Sequence, residues 1–262
     1  MCIQKERSAM TGPDDAIIRP VPLYADHIGK TVVLVSTRDD LLPLCDSLGI
    51  KRSSYTQMFM SRIYHNPSGA NGGVSLVGPV IGAPYAALLA EMLIVSGADR
   101  IIFYGWCGSV SPDLHTGHVL LPEKAVAEEG VAGSYIDAKT VFSAQFPVAF
   151  ASAQMNRQVA SAFENAGIAY DTGTVWTTGA IFRETMEKIR FFQKQNVVAV
   201  DMESSAVFAV ARFRGAEASA VLVVSDELFD FTWRPGFGDK RFIDARSNVS
   251  RVIAKICRTT RI

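Results

Sequence analysis

Two carboxylates flank a methionine in VVAVDMESSAVFAVA, residues 197–211, where Asp201, Met202 and Glu203 follow four apolar residues. Helix N-terminal chemistry accounts for one of the acids, because a carboxylate in a first turn complements the macrodipole. Two acids at the end of a buried strand also have the chemistry to grip a diol or a cation. A third acid, Asp226, closes the apolar run of VLVVSDELF, residues 221–229, with Ser225 beside it. Partial burial favours the protonated form of a carboxyl, which suits a general acid. The plainer reading is an aspartate capping its own turn. FYGWCGSV, residues 103–110, offers Gly105 and Gly108 for close backbone approach, with small Cys107 and Ser109 alongside. GPVIGAP, residues 78–84, leads into a helix whose N–H groups, beginning near Gly82, are placed to hold an anion. Each glycine segment taken alone reads most simply as a turn.

The elements that must position these residues alternate along the chain. Candidate strands are Thr31–Ser36, Val74–Val77, Arg100–Tyr104, His118–Leu121, Thr172–Trp176, Val197–Val200 and Ala218–Val224. Several are apolar on both faces, as strands covered by helices on each side must be. Between them lie candidate helices. One starts near Pro84, with Leu88, Leu89, Met92 and Val95 as its apolar face and Gly97 as its stop. Others cover about 152–166, 183–195 and 203–214, the last stopped by Gly215. The final one, about 239–256, presents Phe242, Ala245, Val249, Val252 and Ile256 on one side. Its Lys240, Arg241, Arg246, Arg251 and Lys255 are read as a solvated polar face. In open α/β sheets ligands collect beyond the carboxyl ends of strands, where the acids and glycines above all fall. Residues 1–28, with Pro13, Pro20 and Pro22 and no periodicity, are read as an arm over the surface or a neighbouring subunit. Residues 29–262 are read as a single α/β domain.

Composition narrows the functions. Of 262 residues 48% are hydrophobic, enough for a sizeable core and against disorder. Lys plus Arg is 26 and Asp plus Glu is 26, a balance that removes the drive for non-specific nucleic-acid binding. One phosphate pocket needs only one or two cations and stays open. Cys2, Cys45, Cys107 and Cys257 are scattered without a CxxC or a nearby His pair, which argues against a disulfide framework or a zinc site and fits the cytoplasm. The apolar run 79–90 is too short to span a bilayer, and no membrane partner is expected.

The acid and glycine segments, in this order, resemble the nucleoside phosphorylase family of bacterial purine nucleoside phosphorylases, uridine phosphorylases and methylthioadenosine/adenosylhomocysteine nucleosidases. The resemblance covers roughly residues 31–256. It rests on Asp201-Met202-Glu203, Ser225-Asp226 and Gly105–Gly108, and on GTVWTTGAIFRET, residues 173–185, similar to the stretch that closes over the nucleobase. It implies a three-layer α/β/α fold around a mixed sheet, often closed into a distorted barrel, and trimers or hexamers that share sites between subunits. The implied chemistry is cleavage of an N-glycosidic bond through an oxocarbenium-like cation, the electronic problem of glycoside hydrolysis. The implied partner is a small-molecule nucleoside; no metal or organic cofactor is called for, and inorganic phosphate is the co-substrate of a phosphorolytic enzyme.

Carried over by position, Glu203 binds the ribose 2′ and 3′ hydroxyls, Met202 packs under the sugar, and Asp226 with Ser225 protonates N7 of a purine. Asp201 belongs to the same grip, with Asp where Glu is usual. Cys107, Gly108 and Trp106 line the pocket, and Thr178, Ile181, Phe182 and Arg183 close it, although Gly179 stands where an aspartate is expected. Asp226 favours a purine over uridine phosphorylase-like pyrimidine specificity.

The departures concern phosphate. Ser36-Thr37-Arg38-Asp39-Asp40 stands in place of a Gly-Asp-Pro-x-x-Arg-like loop, Phe103 in place of Arg, and Trp106 in place of Ser or Thr. Losing a bidentate arginine costs on the order of a buried pair broken at one end, several kcal/mol. Arg38, Arg52 and Arg62, with the backbone at Gly82, are the substitutes at hand. The resemblance therefore leads first to a phosphorolytic pentosyltransferase. A hydrolytic nucleosidase, with Asp40 near the water-activating position, comes second. A nucleoside-binding protein without turnover is the reading from another class, and the intact Glu203 and Asp226 speak against it.

Overall fold

The structure, a computed structural model, describes residues 16–68, 72–136, 141–142 and 145–259. Residues 1–15 of the expected arm lie outside them. Residues 16–23 run beside a helix of the first layer, where Ile18, Val21 and Leu23 line a groove of about 820 Å³ with Pro84, Leu88 and Met92.

Among the described residues twelve strands build one mixed sheet: β1 (Thr31–Val35), β2 (Thr56–Met58), β3 (Ser61–Asn66), β4 (Val74–Gly78), β5 (Arg100–Ser109), β6 (Val119–Ala127), β7 (Val141–Phe142), β8 (Phe146–Phe150), β9 (Asp171–Thr177), β10 (Val197–Asp201), β11 (Glu217–Glu227) and β12 (Arg234–Pro235). Six α-helices among the same residues cover it: α1 (Arg38–Ser47), α2 (Ala83–Val95), α3 (Ala153–Glu164), α4 (Met186–Gln193), α5 (Ser204–Arg214) and α6 (Lys240–Thr259). The result is a three-layer α/β/α fold. Helices α2 and α5 pack on one face with Phe103, Ile101 and Leu222. The residues of α1, α3 and α6 pack on the other with Ile102, Tyr104 and Val221.

Strand β5 organises the sheet. Its first half pairs in parallel with β1 (Thr31↔Arg100 to Val35↔Tyr104), its whole length pairs in parallel with β11, and its last two residues pair antiparallel with β10. Because β11 also pairs with β6, β6 with β9, and β9 with β10, five strands close into a ring. That is the distorted barrel the resemblance implied.

Every expected strand is present, and β5, β6 and β11 run several residues further than expected. Four details differ from the sequence reading. Residues 38–40, read as part of the loop after the first strand, open α1, whose N-cap Thr37 accepts from the Asp40 N–H and which runs on to Ser47 despite Pro43 inside it. Leu88 is 43% exposed, whereas Leu89 and Met92 of the expected face are buried, together with Ala86, Ala90 and Leu93. Residues 183–185 precede α4, which begins at Met186 behind its N-cap Thr185. On α6, Arg246 leaves the solvated row and reaches inward to Asp40. The other expectations for helix ends stand: α5 stops at Gly215 in the left-handed conformation (φ +75°), where a Cβ is disfavoured. No described helix is long and apolar enough to cross a membrane.

Candidate active site

Gly108 is the centre of the site. In the sheet register it lies opposite Asp226 of β11 on one side and Val200 of β10 on the other. The strand ends that carry Ser225-Asp226 and Asp201-Met202-Glu203 are thereby brought to the same residue. A Cβ on Gly108 would fall 2.6 Å from Leu228 Cδ1, 3.2 Å from Val200 Cγ1 and 3.3 Å from Asp226 Oδ2. The space at Gly108 is thus taken by Leu228 and Val200, and one oxygen of Asp226 lies close against the glycine. That carboxyl accepts from the Ser225 hydroxyl at Oδ1 (2.6 Å) and from the indole N–H of Trp233 at Oδ2 (2.9 Å). Cys107, beside Gly108, is buried, and burial together with the charges of Asp201 and Asp226 pushes its thiol well above the usual range. It is therefore a neutral lining group and not a nucleophile.

Beyond β10 the chain turns into α5, and the three residues of the turn separate in role. Asp201 is buried with both oxygens taken: Oδ1 accepts from Thr177 Oγ1 (2.7 Å) and Oδ2 from the Ser204 N–H (2.8 Å). It ties β9 to the start of α5, which is the helix N-terminal chemistry weighed above, and it differs from the expectation that Asp201 grips a ligand. Met202 is half-buried. Glu203 is buried and receives the Gly82 N–H at Oε1 (2.5 Å), the amide at the N-cap of α2. Gly82 adopts φ +80°, so the backbone turns its N–H toward the carboxylate and not toward an external anion. Burial, reinforced by the charge of Asp201, holds Glu203 above the ordinary glutamate range. A carboxyl in this state gains from hydroxyl donors that solvate it.

The positions that departed from the family pattern are engaged elsewhere. Phe103 is fully buried in the α2/α5 core, and its ring fills the space a Gly105 Cβ would need (Phe103 Cζ at 2.6 Å). Gly105 therefore makes room for a core ring and not for a ligand. Trp106 turns to the α6 side and donates its indole N–H to Asp40 Oδ2 (2.8 Å). Asp40 also receives Arg246 Nε (2.8 Å), the Tyr104 hydroxyl (3.2 Å) and the Thr37 hydroxyl (2.8 Å). Asp40 is buried and fully engaged, so it is an anchor between α1 and α6 and not the water-activating base of the sequence reading. Trp106 likewise serves that anchor and packs on Phe242 and Phe237. Among the candidate cations, Arg52 pairs with Asp46 beyond the far end of α1, and Arg62 lies over the Tyr55 ring at 4.2 Å. Arg38 stands exposed in the first turn of α1, next to Ser36, whose buried hydroxyl has no partner among the described residues.

The closing stretch forms the rim. Thr178 is buried and donates its N–H to the Asp201 carbonyl (2.9 Å). Ile181 and Phe182 sit on a single 3-10 turn, Phe182 96% exposed, with Arg183 also exposed. A Cβ on Gly179 would meet only Glu129 Cβ, at 4.0 Å, an ordinary contact. Two residues of the site were not found from the sequence. Glu184 follows the turn, and burial pushes it up to about 8, helped by the charges of Asp226 and Glu128 and opposed by Lys188. Trp233 comes from FDFTWRPGFGD, and an aromatic inside a proline- and glycine-rich loop was the available signal.

The chain belongs to the Phosphorylase superfamily, whose profile matches residues 30–260. It is 27% identical over 174 residues to a guanosine phosphorylase of Halorubrum lacusprofundi, covering 66% of this chain and 69% of that one. It is 27% identical over 156 residues to a DeoD-type purine nucleoside phosphorylase of Caldanaerobacter subterraneus, covering 59% and 65%. The aligned part thus spans about two thirds of these relatives. Among solved structures, a purine nucleoside phosphorylase of Toxoplasma gondii superposes with a TM-score of 0.77 at 20% identity, over 95% of this chain and 97% of that one, which places the fold.

Proposed function

We propose that this protein cleaves the N-glycosidic bond of a purine nucleoside with phosphate as acceptor, releasing the base and ribose 1-phosphate. The observation that carries the reading is the register at Gly108, which sets Asp226 of β11 on one side and Val200, three residues before Glu203, on the other. In this reading the base lies beside the carboxyl end of β11 with N7 at Asp226 and Phe182 folding over it. Glu203 accepts the ribose hydroxyls above Met202. As C1′–N9 breaks, the bond's electron pair leaves with the base, Asp226 delivers a proton to N7, and phosphate attacks C1′ of the oxocarbenium-like cation. The groups available to the phosphate are Arg38, the Ser36 hydroxyl and the backbone at the start of α1. The relatives named as purine and guanosine phosphorylases support the choice. We further propose a cytoplasmic homo-oligomer, trimer or hexamer, a reading supported by the exposed Phe59, Met60, Ile81 and Leu88.

One observation favours a second reading, hydrolysis. Phe103 is core and Trp106 is bound to Asp40, so neither position offers phosphate a donor. Incubating the purified protein with inosine, guanosine, adenosine, methylthioadenosine and uridine, each with and without phosphate, separates the two. Base release that requires phosphate and yields ribose 1-phosphate supports phosphorolysis. Release without phosphate, yielding ribose, replaces it with hydrolysis. Failure to cleave any purine nucleoside overturns both.

A further inference from the structure

The two donors on Asp226 come from different places. Ser225 is its chain neighbour. Trp233 lies seven residues further on, in a loop folded back on the strand: Asp226 and Glu227 of β11 pair with Pro235 and Arg234 of β12, the Gly236 N–H reaches the Ser225 carbonyl (2.8 Å), and Arg234 pairs with Asp230. Space for this fold is tight, since a Cβ on Gly236 would fall 2.3 Å from Thr116 Cγ2. The backbone is thus pinned at both feet of the loop. The indole is not packed away: it is 60% exposed, with one edge-on neighbour, Phe237, at 6.5 Å. A large ring left in solvent gains little from burial, so its hydrogen bond to Asp226 is the main feature that orders it.

A carboxyl with one donor per oxygen has its plane set. Ser225 alone leaves the group free to rotate about its Cβ–Cγ bond; with the second donor on Oδ2, the plane is held and Oδ2 stays against Gly108. Each oxygen keeps a lone pair for a substrate atom. Proton transfer depends on this orientation, because a donor displaced by an ångström loses much of its effect.

We propose that Trp233 is the positioning residue of the general acid, its indole N–H holding the Asp226 carboxyl plane so that Oδ2 is presented to a purine N7 beside β5. The proposal rests on the assignment of Asp226 as the acid for a purine nucleoside. It adds a residue outside the two acid segments that define the site.

Trp233→Phe keeps a ring and removes the N–H, so it tests the bond and not the packing. Inosine needs a proton on its departing base, whereas 4-nitrophenyl β-ribofuranoside releases a phenolate that needs none. The expected result is a fall in kcat for inosine of about tenfold, the upper end for a hydrogen bond between neutral groups, with KM changed less than twofold. The nitrophenyl riboside is expected to be cleaved at the wild-type rate. Asp226→Asn is expected to show the same contrast more strongly. Equal losses on both substrates, or none on inosine, would overturn the proposal. A second measurement needs no turnover: the indole N–H resonance of Trp233, identified by its absence in Trp233→Phe, is expected to move upfield in Asp226→Asn. A resonance indifferent to Asp226→Asn overturns the positioning role. If the wild type cleaves no purine nucleoside while the resonance does move, the substrate assignment falls and the Trp233–Asp226 coupling stands.

Discussion

Arg246 Nε donates to Asp40 Oδ1 at 2.8 Å, joining the first turn of α1 to the middle of α6 across 206 positions of sequence. The guanidinium also lies 4.8 Å over the Trp106 ring and 5.3 Å over that of Phe242. The Asp40 side chain is 4% exposed and that of Arg246 17%, so neither charge is well hydrated if its partner is lost.

Breaking this pair is therefore a stability experiment. Asp40→Asn keeps the shape and removes the charge beneath Arg246. Removing one partner of a buried pair costs 3–5 kcal/mol, and with Arg246 partly exposed we expect about 2–4. Urea unfolding measures it. A loss below about 0.5 kcal/mol would sink the anchoring role, and loss of base release in a stably folded variant would return Asp40 to the chemistry.

Glu203→Gln addresses the sugar. The carboxylate is expected to accept two ribose hydroxyls, each bond to a charged acceptor worth about 1.5–3 kcal/mol. The variant should lose about 10²-fold in kcat/KM on a ribonucleoside, and its discrimination against the 2′,3′-dideoxy analogue should shrink. Steady-state kinetics on the two substrates decide; unchanged discrimination places the ribose elsewhere.

Glu184 makes stability depend on pH. Its carboxyl ionises near 4.5 in the ordinary state and near 8 in the folded protein. Between those values the unfolded chain binds fewer protons than the folded one, so this group's contribution to stability falls as pH rises from 4.5 through 8. Glu184→Gln abolishes the titration. Melting curves should show the variant gaining on the wild type from pH 5 to pH 8, and a constant difference across that window contradicts the burial of a protonated Glu184.

Phe103→Arg puts back the residue that phosphorolytic members are expected to carry. The ring is fully buried against Gly105, so the arginine must place a charge in the α2/α5 core. We expect a lower melting temperature and no tighter phosphate dependence of base release. A stable variant with stronger phosphate stimulation would show that the strand can turn this side chain into the site.

The sequence made the buried strands legible because runs such as TVVLV and VVAV have few other uses, and it made the acids legible because each follows such a run. Helix α1 was hidden by Pro43 and the Asp39-Asp40 pair, which read locally as loop. The hairpin of β2 and β3 was hidden by its polar edge sequence. Side-chain partnerships were not legible at all. That Asp201 spends both oxygens on Thr177 and Ser204, that Asp40 holds Trp106 and Arg246, and that Trp233 reaches Asp226 depend on register and crossing chains, not on periodicity.

Closing five strands into a ring also leaves the sheet little open margin. Its path ends in β2, three residues long, and in β12, two residues of which one is Pro235, while the side branch ends in the two-residue β7. Short margins and a proline offer few unpaired amides for a foreign strand to copy. At these ends the described sheet presents little template for edge-to-edge pairing.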